Sequence, residues 1–224
     1  MSSRLMLTEP NAATDLDTFL GRASLIEDGS ARVIATGGVL AVYVPVLFPT
    51  SLLDDSATVL GLRTFALAAG HDELDSVVPM SSLRSRVQAA AASGEGFELG
   101  MPTPVYSVTW AGVVPPRGGW APVAGTVSTR VLRQAATSGI QEVAEAIPTN
   151  SGDAIVRQVR SMVWGEPIEG AEALPRGAAF AAHALGFLPE DEEVGRLFEA
   201  GPWTRLTLVR GHVLVKRRSW SLGG

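Results

Sequence analysis

The sequence predicts an α+β fold, with a mostly antiparallel sheet in the N-terminal half and a helical C-terminal half that ends in a β-hairpin. Three observations carry that reading. Two β-rich runs in ARVIATGGVLAVYVPVLFP flank Gly37-Gly38, a pair able to take the positive φ angles of a two-residue hairpin turn. From Ser128 to Ile147 the apolar positions recur at helical spacing. The closing stretch, WTRLTLVRGHVLVKRRSW, alternates apolar and polar residues about Arg210-Gly211.

The elements follow in order. The start, MSSRLMLTEPNAATD, has no continuous apolar core and reads as a flexible tail over residues 1–14, ahead of a single α+β domain over 15–224. Asp15 to Ile26 carries Leu16, Phe19, Leu20 and Ala23 on one helical face. In the glycine hairpin, pairing Thr36 with Val39 places Ala31, Val33, Ala35, Leu40, Val42 and Val44 together on a wholly apolar face. The other face, with Arg32, Ile34, Thr36, Val39, Ala41 and Tyr43, is mixed and covered only in part. Thr58 to Leu67 is strand-like. Leu74, Val77, Val78, Leu83, Val87 and four successive alanines predict a helix within Leu74 to Ala92, broken or begun near Pro79, and Ser93 to Gly96 ends it. Val105 to Trp110 reads as a strand.

In the second half, Leu132, Ala135, Ala136, Ile140, Val143, Ala144 and Ile147 form one stripe, opposite Arg130, Arg133, Gln134, Gln141, Glu142 and Glu145. Gly139 costs this helix about 1 kcal/mol relative to alanine. Pro148 stops it, and Ser151 is positioned to cap a second helix over Asp153 to Trp164, with Gly165 after its end. A third helix starts at Pro175 and runs through RGAAFAAHALGF. A fourth is expected from the acidic run Glu190 to Glu193 through DEEVGRLFEA, where acids complement the helix dipole. A turn at Arg210-Gly211 would pair Leu208 with Val213 and Leu206 with Val215. No internal repeat is visible, and a seam near Pro122 to Thr126 is where two lobes would meet.

Composition limits the function. The 224 residues are 46% hydrophobic and 18% charged, which fits a well-packed globule rather than a disordered chain. A net charge of −5 disfavours a dedicated nucleic-acid binder, whose affinity rests on neutralising phosphates. The absence of cysteine excludes disulfides, thiolate catalysis, Cys-ligated zinc and iron-sulfur clusters. Seventeen of the eighteen basic residues are arginine, Lys216 being the exception, a bias that matches a GC-rich bacterial genome. The longest apolar run, Val39 to Phe48, is too short to span a bilayer and contains Pro45. A cytoplasmic protein with no membrane partner is expected.

The most distinctive stretch is SVTWAGVVPPRGGW, Ser107 to Trp120. Five of the fourteen prolines lie at 102, 104, 115, 116 and 122, which fixes φ repeatedly and lowers the entropy lost on ordering the loop. Arg117, between prolines and glycines and flanked by Trp110 and Trp120, is placed to stack on an indole or hold an anion. His183 stands three and four positions from Phe180 and Phe187 and is the second ligand-binding candidate. His71, Asp72, Glu73 and Asp75 have ligand chemistry, but their spacing matches no recognised site and reads as solvated capping, so no metal is expected. GEGFELG lacks the GxGxxG spacing of a dinucleotide loop, and no phosphate-loop, nucleophile-elbow or zinc-protease motif occurs.

The sequence therefore supports a non-catalytic module that works by binding a protein partner or by self-association, without a cofactor. One alternative is a small-molecule-binding protein or enzyme with a pocket bordered by the proline-rich loop 102–122. The other is nucleic-acid binding through Arg205, Arg210, Lys216, Arg217 and Arg218 of the terminal hairpin, in the outline of a winged helix. The acidic start of DEEVGRLFEA opposes that layout, because it would sit against phosphates.

Overall fold

A computed structural model describes residues 4–50, 54, 56–71, 73–93, 97–106, 108–112, 114–148 and 152–216. The elements are β1 (Arg4–Leu7), α1 (Ala12–Ser24), β2 (Ser30–Thr36), β3 (Val39–Leu47), β4 (Thr58–Ala66), β5 (Leu74–Pro79), α2 (Met80–Ser93) and β6 (Phe97–Gly100). They continue with β7 (Ala121–Ser128), α3 (Thr129–Ala146), α4 (Asp153–Gly165), β8 (Pro167–Ile168), β9 (Ala171–Pro175), α5 (Arg176–Ala184), β10 (Val194–Ala200), β11 (Trp203–Leu208) and β12 (Gly211–Lys216). The fold class is α+β: among the described residues five helices accompany an eight-stranded antiparallel sheet in the order β5-β2-β3-β4-β12-β11-β10-β7. By its contacts the chain divides into two compact units, Met1–Pro45 with Leu62–Val113, and Val46–Gly61 with Val114–Gly224. This division precedes the seam expected near Pro122 to Thr126.

In the first unit the glycine hairpin has the expected register, with Thr36 opposite Val39 and Val33 opposite Val42. Gly37 and Gly38 have φ of 57° and 78°, which only glycine adopts without strain. All six residues of the expected apolar face are buried. Leu16, Phe19, Leu20 and Ala23 of α1 are buried too, and α1 packs on α2.

Three local expectations are corrected in this unit. Residues 4–14 are not a tail: β1 pairs with β6, Leu5 and Leu7 are buried, and α1 begins at Ala12. Burial of two leucines in alternation together with the ladder to β6 offsets the freedom lost by these residues. The helix begins just after Pro79, as α2 at Met80, one of the two expected outcomes, while Leu74 to Pro79 ahead of it is a strand, because it pairs with β2 from Ala35–Leu74 to Ser30–Pro79. The long-range ladder overrides the local pattern there. Val105 to Trp110 is not a strand. Pro102 and Pro104 lack donors, so residues 101–106 run irregularly, with Val105 N–H donating to Val77 O at 2.8 Å, and Trp110–Gly112 form a 3-10 turn.

In the second unit, Ser128 caps α3, its Oγ accepting from Arg130 N at 3.1 Å. The N-cap of α4 is Gly152, and Ser151, the expected cap, lies outside the described residues. The helix expected from Glu190 is absent. Val194–Ala200 is instead β10, an inner strand between β11 and β7, with Gly195 and Leu197 buried in alternation. The winged-helix outline thereby loses its recognition helix.

The terminal hairpin has the expected apolar face, Leu206, Leu208, Val213 and Val215, all buried. Its register differs by two residues: Leu208 faces Gly211 and Leu206 faces Val213 across a turn of Val209-Arg210. A two-residue shift preserves which side chains share a face, so the pattern was legible while the pairing was not. Gly211 is required by packing, since a Cβ there would lie 2.6 Å from Cε1 of Phe187.

The order strand, helix, three strands occurs twice, as β1-α1-β2-β3-β4 and as β9-α5-β10-β11-β12.

Candidate interaction surface

The four residues singled out by the sequence are divided between the two units. Trp110 belongs to the first unit, is buried, and donates from Nε1 to Ser30 Oγ at 3.3 Å. The same turn is held by Arg32, whose guanidinium donates to Ala111 O at 2.6 Å and forms a two-pronged ion pair with Asp75 at 2.8 and 3.0 Å. Arg117 and Trp120 belong to the second unit, where Arg117 is exposed and Trp120 is half-buried with its Nε1 donating to Pro116 O at 3.0 Å. The indole next to Arg117 is instead taken by another arginine. Arg205 Cζ lies 4.6 Å from the Trp120 ring and 4.6 Å from the Phe198 ring, a cation sandwiched between two aromatics.

His183 is exposed near the end of α5, although aromatic neighbours suggested burial. Phe180 and Phe187 turn to other partners: Phe180 stacks on Trp164 with ring centroids 4.6 Å apart, and Phe187 packs under Gly211. His212 is the shielded histidine. Its Nδ1 is 3.1 Å from Thr207 Oγ1, and burial, followed by the charge of Arg205, pushes its pKa down to about 4. Among the metal-ligand candidates, Asp75 is held by Arg32 and Glu73 accepts from Thr36 Oγ1 at 3.0 Å, while Asp72 lies outside the described residues.

A surface that the sequence reading passed over lies on α4. The helix buries Val163 and Trp164, and it is anchored by Gly139 of α3 and Gly177 of α5. A Cβ built on Gly139 would lie 2.8 Å from Cη2 of Trp164 and closer still to its Cζ3. With the indole fixed, Ile155, Val159 and Met162 fall at i, i+4 and i+7, and Ile155 and Met162 are 48% and 66% exposed. Ile140 of α3, which packs beside α4, is 40% exposed. A signal was present in the sequence. Asp153–Gly165 holds Ala154, Ile155, Val156, Val159, Met162, Val163 and Trp164, more apolar residues than one buried arc accommodates.

A family model described as a domain of unknown function, DUF8010, matches residues 1–112, half of the chain. The chain belongs to the DUF8010 family. A second domain of unknown function, DUF8185, matches residues 115–220 of this DUF8010 protein, so the two matches meet where the first unit ends at Val113. The segment Val46–Gly61 lies inside the DUF8010 match yet belongs by its contacts to the second unit. Comparison with curated proteins finds no match.

Among solved structures, the DUF8010 protein is similar to the DNA polymerase sliding clamp of Caulobacter crescentus, with 14% identity and a TM-score of 0.50 over 99% of this chain and 67% of that one. The DNA polymerase III subunit beta of Pseudomonas aeruginosa matches with 12% identity and a TM-score of 0.49, over 100% of this chain and 66% of that one. The chain thus spans about two thirds of the length of these clamps. The likeness to the Caulobacter clamp is one of fold.

No helix among the described residues is long and apolar enough to cross a membrane.

Proposed function

We propose that this DUF8010 protein is a non-catalytic cytoplasmic module that works by protein association, and that it self-associates through α4. The observation that carries the reading is the α4 stripe of exposed Ile155 and Met162 with half-buried Val159 between them. Contiguous apolar surface of this kind costs solubility and is retained where something covers it. A second copy is the occupant that the stripe fits. Two α4 helices packed antiparallel about a two-fold axis bring Ile155 of each against Met162 of the other, with Val159 against Val159 at the centre, a self-complementary contact. The fold shared with a sliding clamp supports a scaffold that acts by assembling with other macromolecules rather than by reacting with a substrate.

Multi-angle light scattering tests this directly. The wild-type protein is expected to show a concentration-dependent dimer, and Met162→Glu, which places a charge against Ile155 of the other copy, is expected to be monomeric with unchanged circular dichroism. A wild type that is monomeric at all concentrations, or a Met162→Glu variant that dimerises as well as the wild type, would sink the proposal.

Nucleic-acid binding through the terminal hairpin is the weaker reading. Arg205 is committed between Trp120 and Phe198, and Arg84, Arg130 and Arg176 of the helices are paired with carboxylates at 2.8, 3.0 and 2.7 Å. Cations engaged in this way are not available to neutralise phosphates.

A further inference from the structure

The second unit contains a groove of about 540 Å³ between α3 and the turn that joins β8 to β9. One wall is a single helix face, Val131, Gln134, Ala135 and Ser138 at i, i+3, i+4 and i+7, and the other is the segment Glu166 to Gly170. That face covers about 10 Å of helix axis, the length of some three residues of extended chain. At the groove's end stands Arg176, whose side chain is only 13% exposed.

The charge of Arg176 is spent internally. Its Nη1 donates to Glu142 Oε2 at 2.8 Å and to Glu166 Oε2 at 2.7 Å, so two carboxylates share one guanidinium. Glu169 lines the groove as well. Among the residues that line the groove, Glu166 and Glu169 against Arg176 leave about one negative charge, and Glu142, outside the lining, draws on the same guanidinium. Glu172, on the adjoining strand, is held by the Gly170 N–H at 3.0 Å, which fixes the turn that carries Glu169. On α3 the two nearest arginines are already engaged, Arg130 with Glu192 and Arg133 with the Pro189 carbonyl.

From this geometry we propose that the groove binds a basic peptide segment, taking a lysine or arginine side chain between the α3 face and Glu166 and Glu169. The wall supplies what such a side chain needs. Val131, Ala135 and Pro167 meet its aliphatic stem, and the carboxylates meet its charged end. An open groove of three-residue length favours a peptide over a compact amine, because flanking residues of the peptide lie along the same helix face. The inference rests on the reading of this protein as an association module, and it adds a second surface, distinct from the α4 stripe, with its own partner chemistry.

Fluorescence anisotropy with a labelled peptide alternating lysine and leucine tests it, using the full chain. Wild-type protein is expected to bind this peptide and not the matched peptide with glutamate in place of lysine. Glu169→Lys, an exposed turn position, is expected to weaken binding roughly tenfold, and Glu169→Gln by less. Gln134→Trp, an exposed helix position that fills the groove, is expected to abolish binding. Binding unaffected by Gln134→Trp and Glu169→Lys, no binding by wild type, or spermidine competing as well per charge as the peptide would each overturn the proposal. The two readings fail separately. Peptide binding by a monomeric Met162→Glu variant leaves the groove standing without the dimer, and a wild-type dimer that ignores the peptide leaves the dimer standing without the groove.

Discussion

Replacing Gly139 by alanine sets helix propensity against packing, and the structure decides the sign. On an isolated helix the change gains about 1 kcal/mol. In the folded protein the new methyl group meets the indole of Trp164, with Cη2 at 2.8 Å and Cε3 at 3.2 Å. The indole has nowhere to go. Its other face stacks on Phe180 at 4.6 Å and 24°, and its Cβ and carbonyl lie 3.4 and 3.1 Å from where a Cβ on Gly177 would be. Overpacking a fixed site costs about 1–3 kcal/mol, so Gly139→Ala loses its helix-propensity gain and is expected to destabilise the protein by roughly 0–2 kcal/mol net. Guanidinium unfolding followed by circular dichroism measures it.

The control is the double mutant. Trp164→Leu removes the six-membered ring that the methyl group meets, and in that background Gly139→Ala is expected to stabilise by about 1 kcal/mol. The interaction energy of the cycle is then about 1–3 kcal/mol, the overpacking cost itself. If the single mutant is more stable than wild type, the wedge at Trp164 is not rigid and the account of how α4 is anchored is wrong.

Two further outcomes follow from buried polar groups in the terminal hairpin. Thr204 is fully buried and its Oγ1 has no hydrogen-bond partner, so Thr204→Val is expected to raise stability by about 1 kcal/mol, read as a shift in the unfolding midpoint. His212 has a folded-state pKa of about 4, while the unfolded chain takes up the same proton near pH 6.5. The unfolded state therefore binds more protons between those values, and stability falls as pH drops from about 6.5 to 4, by roughly 3 kcal/mol at most. His212→Gln is expected to flatten that part of the urea-midpoint profile, and an unchanged profile would contradict the burial of this ring.

Much of the fold was legible because some patterns admit one solution. The Gly37-Gly38 turn and the alternation around it fixed both the register and the buried face of β2 and β3. The apolar stripe within Ser128 to Ile147 and the stop at Pro148 identified α3 to within a residue or two. Where the reading went astray, a nonlocal partner decided. Leu74 to Pro79 and Val194 to Ala200 have no local feature that prefers strand over helix, and each is a strand because others lie beside it. Arg4 to Leu7 is ordered by β6, some ninety residues away.

The candidate residues fared differently from the fold. Trp110 and Trp120 are ten residues apart in the chain and belong to different units, and proximity in sequence gave no warning of that. The partner of Trp120 is Arg205 rather than Arg117, because β10 and β11 bring Arg205 and Phe198 opposite each other. Gly139 looked like a flaw in a good helix and proved to be the space that admits Trp164.

By itself the sequence determined the class of fold, the hairpins, the longest helix and the chemistries that a cysteine-free, acidic chain excludes, since these depend on composition and on periods of two and 3.6 residues. Only the tertiary structure decided which apolar residues were left outside and which charges were spent. An exposed Ile155-Met162 stripe exists because Trp164 fixes the rotation of α4, and an acidic groove exists because two glutamates share one arginine. Both are differences between what a chain could bury or neutralise and what its packing does, and no local pattern records that difference.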